Sequence, residues 1–137
     1  MKNIKEKLIY SFLFFLFLLL DQFTKHFVLT EQSALIFRNE NFAFSLEVPS
    51  FLMYLTYIVL IGLLLSWFVK KENKRILDKL GFVLIISGAV SNIGERILNG
   101  FVIDFIHIHT GVFNVADFFI ILGILFLFFS KEELIKS

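Results

Sequence analysis

The sequence predicts an all-α membrane protein: four transmembrane helices carrying a small β-rich element on the outer side. Three observations predict it. Of 137 residues, 58% are hydrophobic and only 18% are charged, with a mean hydropathy of +0.83, a balance outside the range of an ordinary soluble domain. Four apolar stretches are each close to the roughly 20 residues that cross about 30 Å of hydrocarbon. The lysines and arginines fall in clusters that all reach one side when the chain crosses four times. A Lys-rich break over residues 70–79 divides the chain, but each half is too short to stand alone, so residues 1–137 read as one domain.

The first stretch, residues 8–29, follows the basic start MKNIKEK and resembles a secretory signal, yet it runs into DQFTKH with no small-residue cleavage site. It therefore reads as a retained first helix. The connection over residues 30–50 holds ALIFRN and FAFSLEV, runs rich in β-favouring residues around Asn39, Glu40 and Asn41. That pattern predicts a small hairpin, ended by Pro49. The second and third spans cover residues 51–69 and 80–97. Between the third and fourth, Gly100 and Gly111 bracket another strand-like run from Val102 to Ile108. An extended edge beside a membrane suits a peptide backbone added as a further strand. The fourth span covers residues 112–129.

Orientation follows from the charges. Lys2, Lys5 and Lys7 precede the first span, Lys70, Lys71, Lys74, Arg75 and Lys79 lie in the central break, and Lys131 and Lys136 follow the last. Ten of the 13 basic residues thus share a side, which is expected to be cytoplasmic. Both termini are then inside. The opposite side keeps Lys25, Arg38 and Arg96 against Asp21, Glu31, Glu40, Glu47, Glu95, Asp104 and Asp117. The basic clusters suit anionic membrane lipid, and no nucleic-acid partner is expected. The chain has no cysteine, which excludes disulfides, thiolate metal sites and a cysteine nucleophile.

The chemistry concentrates on that acidic side. Asp104 in GFVIDFIHI and Asp117 in VFNVADFFI are flanked by Phe, Val and Ile, and a carboxylate facing lipid costs roughly 2.5 kcal/mol or more. They should therefore face each other or a wet cavity. Two close carboxylates cannot both ionise easily, so one keeps a proton and the pair can serve water as base and acid. Asn92, Glu95 and Arg96 share one helix face, and Asn114 and Asp117 are one turn apart at the start of the next helix. Other readings fit parts of this set. Asp21 and Lys25, at i and i+4, also suit an intrahelical pair with a snorkelling lysine. The group at Asn92, Glu95 and Arg96 also suits hydrogen bonding that holds helices together, and membrane acids also serve proton relays. His107 and His109 on one strand face read as interfacial histidines rather than metal ligands.

The strings DQFTK (21–25), RNENFAFS (38–45), SGAVSNIGER (87–96), GFVIDF (100–105) and FNVAD (113–117) occur in this order across the four spans. Together they resemble the lipoprotein signal peptidases, signal peptidase II, over nearly the whole chain. The resemblance implies that Asp104 and Asp117 are the catalytic pair. It implies that Asn39, Asn92 and Asn114 position substrate or order the pair, and that Asp21, Lys25 and Arg96 support the site. It further implies an aspartic endopeptidase of the bacterial cytoplasmic (inner) membrane. That enzyme removes signal peptides from diacylglyceryl-modified prolipoproteins, with the cut just before the lipidated cysteine and the active site near the outer face. No metal or organic cofactor is implied, and the partners are the lipidated prolipoprotein and membrane lipid around a monomer.

The chain departs from the family pattern with Glu95 where Asp is usual, Ser87 and Ser91 where Gly is usual, and Asn41 and Phe42 in place of Gly-Ala. It reads as a divergent and short member, with Glu95 as a brace for the loop carrying Asp104. A small proton-coupled four-helix transporter and a non-catalytic prolipoprotein-binding relative are the alternatives. Clustering of the acids at one face, rather than at the midplane, disfavours the first. Turnover on a lipidated prolipoprotein separates all three.

Overall fold

The computed structural model describes residues 2–40, 47–109 and 111–135, with side chains described for residues 4–40, 47–109 and 111–130. Four helices dominate: α1 (Lys2–Glu31), α2 (Ser50–Lys70), α3 (Ile76–Asn99) and α4 (Val115–Ile135). Four three-residue strands lie at one end, β1 (Phe37–Asn39), β2 (Val102–Asp104), β3 (Ile106–Ile108) and β4 (Gly111–Phe113). Helices α1, over Ile4–Glu31, α2 and α3 are long and apolar enough to cross a membrane, and the apolar part of α4, Val115–Ser130, is shorter. All 21 residues of α4, at about 1.5 Å each, nevertheless extend roughly 30 Å.

The tightest seam joins α3 to α4, and small residues make it. A Cβ on Gly81 would stand 2.8 Å from the Gly123 carbonyl oxygen, one on Gly123 2.7 Å from that of Gly81, and one on Gly88 2.5 Å from that of Ala116. Gly81 and Gly88 lie two turns apart on α3, as Ala116 and Gly123 do on α4, so two antiparallel backbones touch along a line. In lipid, where burying apolar surface supplies little drive, such close approach is what holds helices together. Helix α1 joins α3 in parallel, through Glu6–Lys79 at one end and Asp21–Ser91 at the other.

Helix α2 is different. Met53 is its one buried residue among those described. It meets α3 through rings near its two ends: Arg96 lies over Tyr57, 5.8 Å from the ring centroid, and Phe68 stacks on Phe82 at 3.9 Å. Between these contacts α2 stands away from α3 and α4 and leaves a cavity of about 600 Å³.

The strand-rich end departs from expectation in one place. Among the described residues β1 pairs with β2, antiparallel, with Phe37 opposite Asp104, Arg38 opposite Ile103 and Asn39 opposite Val102. Most of the run expected to return as the hairpin's second strand, residues 42–46, lies outside the described residues, and Glu47 and Val48 are not in a strand. The departure is that residues 102–108 do not form one strand. The chain changes sheets at Phe105, whose N–H donates to the Phe113 carbonyl (2.9 Å), and β3 pairs with β4. The cause is burial: β2 is buried throughout, whereas β3 emerges to the surface, and one straight strand cannot do both. Helix α4 accordingly begins after β4 rather than at Val112.

Candidate active site at the start of the fourth helix

Asn114 and Asp117 open α4 with a reciprocal pair of bonds. The Asp117 N–H donates to Asn114 Oδ1 (3.0 Å), and the Asn114 N–H donates to Asp117 Oδ2 (3.0 Å). This is a capping box, which satisfies N–H groups that no helical carbonyl reaches. A further one, of Ala116, donates to Asp21 Oδ1 of α1 at 2.8 Å. The first turn of α4 is thus held by side chains from two helices, and with it the direction of the Asp117 carboxylate.

Asp104 arrives from the other side at the end of β2. It is 2% exposed, and both of its oxygens accept amide protons: Oδ2 from Asn39 Nδ2 (2.9 Å) and Oδ1 from Asn114 Nδ2 (2.6 Å). The Asn39 amide comes from the strand partnered with β2, so the β1–β2 register delivers it. Burial pushes the Asp104 carboxyl up to about 6, the nearby Asp117 charge pushes the same way, and the two asparagine donors pull against them. Asn114 therefore touches both acids, one through its side-chain amide and one through its backbone N–H.

Asn92 on α3 extends the network inward. Its Nδ2 donates to Asp117 Oδ1 (2.9 Å), while its Oδ1 accepts from Asn114 Nδ2 (3.1 Å) and Lys25 Nζ (3.1 Å). Lys25, 1% exposed, also meets Asp21 Oδ2 at 2.7 Å and Glu95 Oε2 at 3.2 Å. Its three N–H donors thus have three acceptors. Glu95 Oε2 in turn accepts the Ile103 N–H (3.1 Å), immediately before Asp104. Ser91 donates to Asp21 Oδ2 (2.6 Å), and Gln22 Nε2 donates to Ser91 Oγ (2.8 Å) and Glu95 Oε1 (3.2 Å).

All seven supporting residues named from the sequence stand around the two aspartates. Asp21, Lys25, Glu95 and Asn92 form one continuous network on the α1–α3 side, Asn39 and Asn114 touch Asp104, and Arg96 lies on the cavity wall against Tyr57. Sequence reasoning missed Gln22 and Tyr57 and treated Ser91 only as a departure. Gln22 had a signal, being polar beside Asp21 in an apolar helix; Tyr57 had none. Of the departures, Ser87 donates to the Leu84 carbonyl (3.0 Å), and Asn41 and Phe42 lie outside the described residues.

The site opens into the cavity between α2, α3 and α4. Asn39, Asn92, Asp104, Asn114 and Asp117 line its polar end, and Leu60, Leu64, Ile85, Ile124 and Leu127 continue it as an apolar slot. Two carboxylates at the mouth of such a slot can act on a polar bond whose flanking chain lies in hydrocarbon.

Comparison with known proteins gives a consistent picture. Residues 13–131 match the family model described as signal peptidase (SPase) II. The chain is 43% identical over 98 residues to a lipoprotein signal peptidase of Bartonella henselae, covering 64% of this chain and 59% of that one. It is 35% identical over 136 residues to one of Syntrophus aciditrophicus, covering 82% and 84%, and 27% identical over 157 residues to one of Fusobacterium nucleatum, covering 98% and 95%. The chain thus spans about three-fifths of the Bartonella relative and nearly all of the Fusobacterium one. A solved structure described as a bacterial membrane enzyme superposes with a TM-score of 0.76 at 21% identity, covering 91% of this chain and 88% of that one, a likeness of fold.

Proposed function

This chain belongs to the signal peptidase II family, and from that we propose a membrane aspartic endopeptidase that removes the signal peptide of diacylglyceryl-modified prolipoproteins, cutting before the lipidated cysteine. The observation that carries the catalytic type is the bridging of Asp104 and Asp117 by Asn114 at the polar mouth of an apolar cavity. The pair shares one proton. One member draws a proton from water as that water attacks the scissile carbonyl, while the other donates its proton to the carbonyl oxygen; the first then passes its proton to the departing amine as the second recovers one from the diol and the C–N bond breaks. The chemistry needs only these carboxylates and water. The apolar slot receives the hydrocarbon of the substrate, which orients the peptide bond over the acids.

Asn39 and Asn114 hold Asp104, Asn92 and the α4 cap hold Asp117, and the Asp21–Lys25–Glu95 network fixes the elements that carry them. Arg96 supports the cavity wall through Tyr57. On this reading the protein is one domain in the bacterial inner membrane, and the basic clusters at the opposite end support an orientation with both termini cytoplasmic and the acids near the outer face.

Purified protein incubated with a lipidated prolipoprotein should release a shortened lipoprotein on a gel. Asp104→Asn and Asp117→Asn keep the shape but cannot exchange the proton, so each should abolish cleavage with expression and insertion near normal. Substantial turnover by either variant refutes the dyad.

A further inference from the structure

A second cavity, of about 640 Å³, lies at the opposite end of the bundle from the aspartates, between α1, the end of α2 and the start of α3. Its rim carries Lys7, Lys74 and Lys79 with Glu6, and Phe14, Phe68, Phe82, Val83 and Ile86 line it further in. Glu6, the one acid lining it among the described residues, is paired with Lys79. Lys7 and Lys74 are therefore positive charge in excess. Lys74 lies over the Phe68 ring at 5.1 Å and Lys79 over the Tyr10 ring at 5.9 Å, which holds both ammonium groups at the border between rim and aromatic interior.

Polarity is graded along the cleft. Lys7 and Phe14 are seven residues apart on α1, as Lys79 and Ile86 are on α3, so each wall runs from charge to hydrocarbon over about two turns, roughly 10 Å. A soluble phosphate has no use for the aromatic interior. A zwitterionic lipid or detergent has none for the unbalanced lysines. The volume is within the usual range of about 300–1,000 Å³ for small-molecule sites.

We propose that this cleft binds one anionic phospholipid, its phosphate between Lys7 and Lys74 and an acyl chain along Phe14, Phe68, Phe82 and Ile86. Only the naming of the leaflet, cytoplasmic, rests on the orientation given above. The site is remote from the dyad, so its test needs no turnover.

Trp67, the chain's single tryptophan, adjoins Phe68 with ring centroids 6.4 Å apart and reports on the cleft. The protein is reconstituted in phosphatidylcholine vesicles, and Trp67 quenching is compared for brominated-chain phosphatidylglycerol and brominated-chain phosphatidylcholine present in both leaflets. Phosphatidylglycerol should occupy the site about thirtyfold more strongly, the scale expected for two lysines near an anionic headgroup. The preference should fall as salt is raised, vanish in Lys7→Gln/Lys74→Gln and survive in Lys7→Arg/Lys74→Arg. Equal quenching by the two lipids overturns the proposal, as does a preference that persists in the glutamine variant. Displacement of the brominated lipid by glycerol 3-phosphate would show a phosphate site and overturn it too. Should the glutamine variant fail to fold, the salt dependence of the wild type decides.

Discussion

Glu95→Ala tests the brace between α3 and the strand that carries Asp104. Glu95 is 7% exposed, and its two oxygens meet Ile103 N–H at 3.1 Å, Lys25 Nζ at 3.2 Å and Gln22 Nε2 at 3.2 Å. Alanine leaves the buried Ile103 N–H without this acceptor, a loss of about 1–3 kcal/mol. Breaking a buried ion pair costs about 3–5 kcal/mol when a charge is stranded, but Lys25 keeps Asp21 at 2.7 Å and Asn92 at 3.1 Å, so its share is the smaller one. The sum expected is about 2–3 kcal/mol, a fall of several degrees in Tm, together with a reduced cleavage rate because Asp104 follows Ile103 directly. Glu95→Asp withdraws the carboxylate by one methylene but keeps the charge beside Lys25, and should retain most activity. Thermal unfolding in detergent, cleavage kinetics and hydrogen exchange at Ile103 read the three effects. If Glu95→Ala eliminated turnover with Tm and Ile103 exchange unchanged, Glu95 would belong to the chemistry and the brace would be refuted.

Three further outcomes are expected. A cysteine at Glu40 should react with an impermeant thiol reagent in intact cells and one at Asn73 should not, against a background free of native cysteine; the reverse pattern overturns the orientation. Gly88→Ala places a methyl 2.5 Å from the Ala116 carbonyl and should destabilise by about 1–3 kcal/mol, whereas Gly62→Ala, with open space around it, should leave the melting temperature unchanged. Asp104, raised to about 6, favours its protonated form in the folded state, so the stability it contributes is full at low pH and is lost as pH rises through about 6. The carboxylic C=O infrared band of Asp104 should disappear over that range, and in Asp117→Asn at lower pH, because a neighbouring negative charge is gone; an unchanged midpoint would separate the two acids electrically.

The helices were legible because hydrocarbon imposes a length and an apolar composition, and the two aspartates because a carboxylate in such a setting demands a reason. The strand pairing was not. β1 and β2 are three residues each and meet across 65 positions between Asn39 and Asp104, so no local pattern announces that register. The stand-off of α2 was equally silent, since Leu60, Ile61 and Leu64 look the same to a hydropathy scale whether they face lipid or a cavity. Asp21 and Lys25 were recognised as a pair, but the bond from Ala116 N–H to Asp21 spans 95 positions and belongs to the assembled bundle. Gln22 and Ser91 follow the same rule: each is an ordinary polar residue until α1 and α3 are parallel and in register.

Asn114 has a consequence for the life of the nascent chain. The residue that starts α4 is also the residue that bridges the two acids, through the same few atoms. The bridge between the proposed catalytic pair is therefore complete only when the fourth helix has started. A chain still threading into the bilayer, with its last helix unwound, lacks the arrangement proposed to cut peptide bonds, which is complete only once the fourth helix has formed against Asp21 and Asn92.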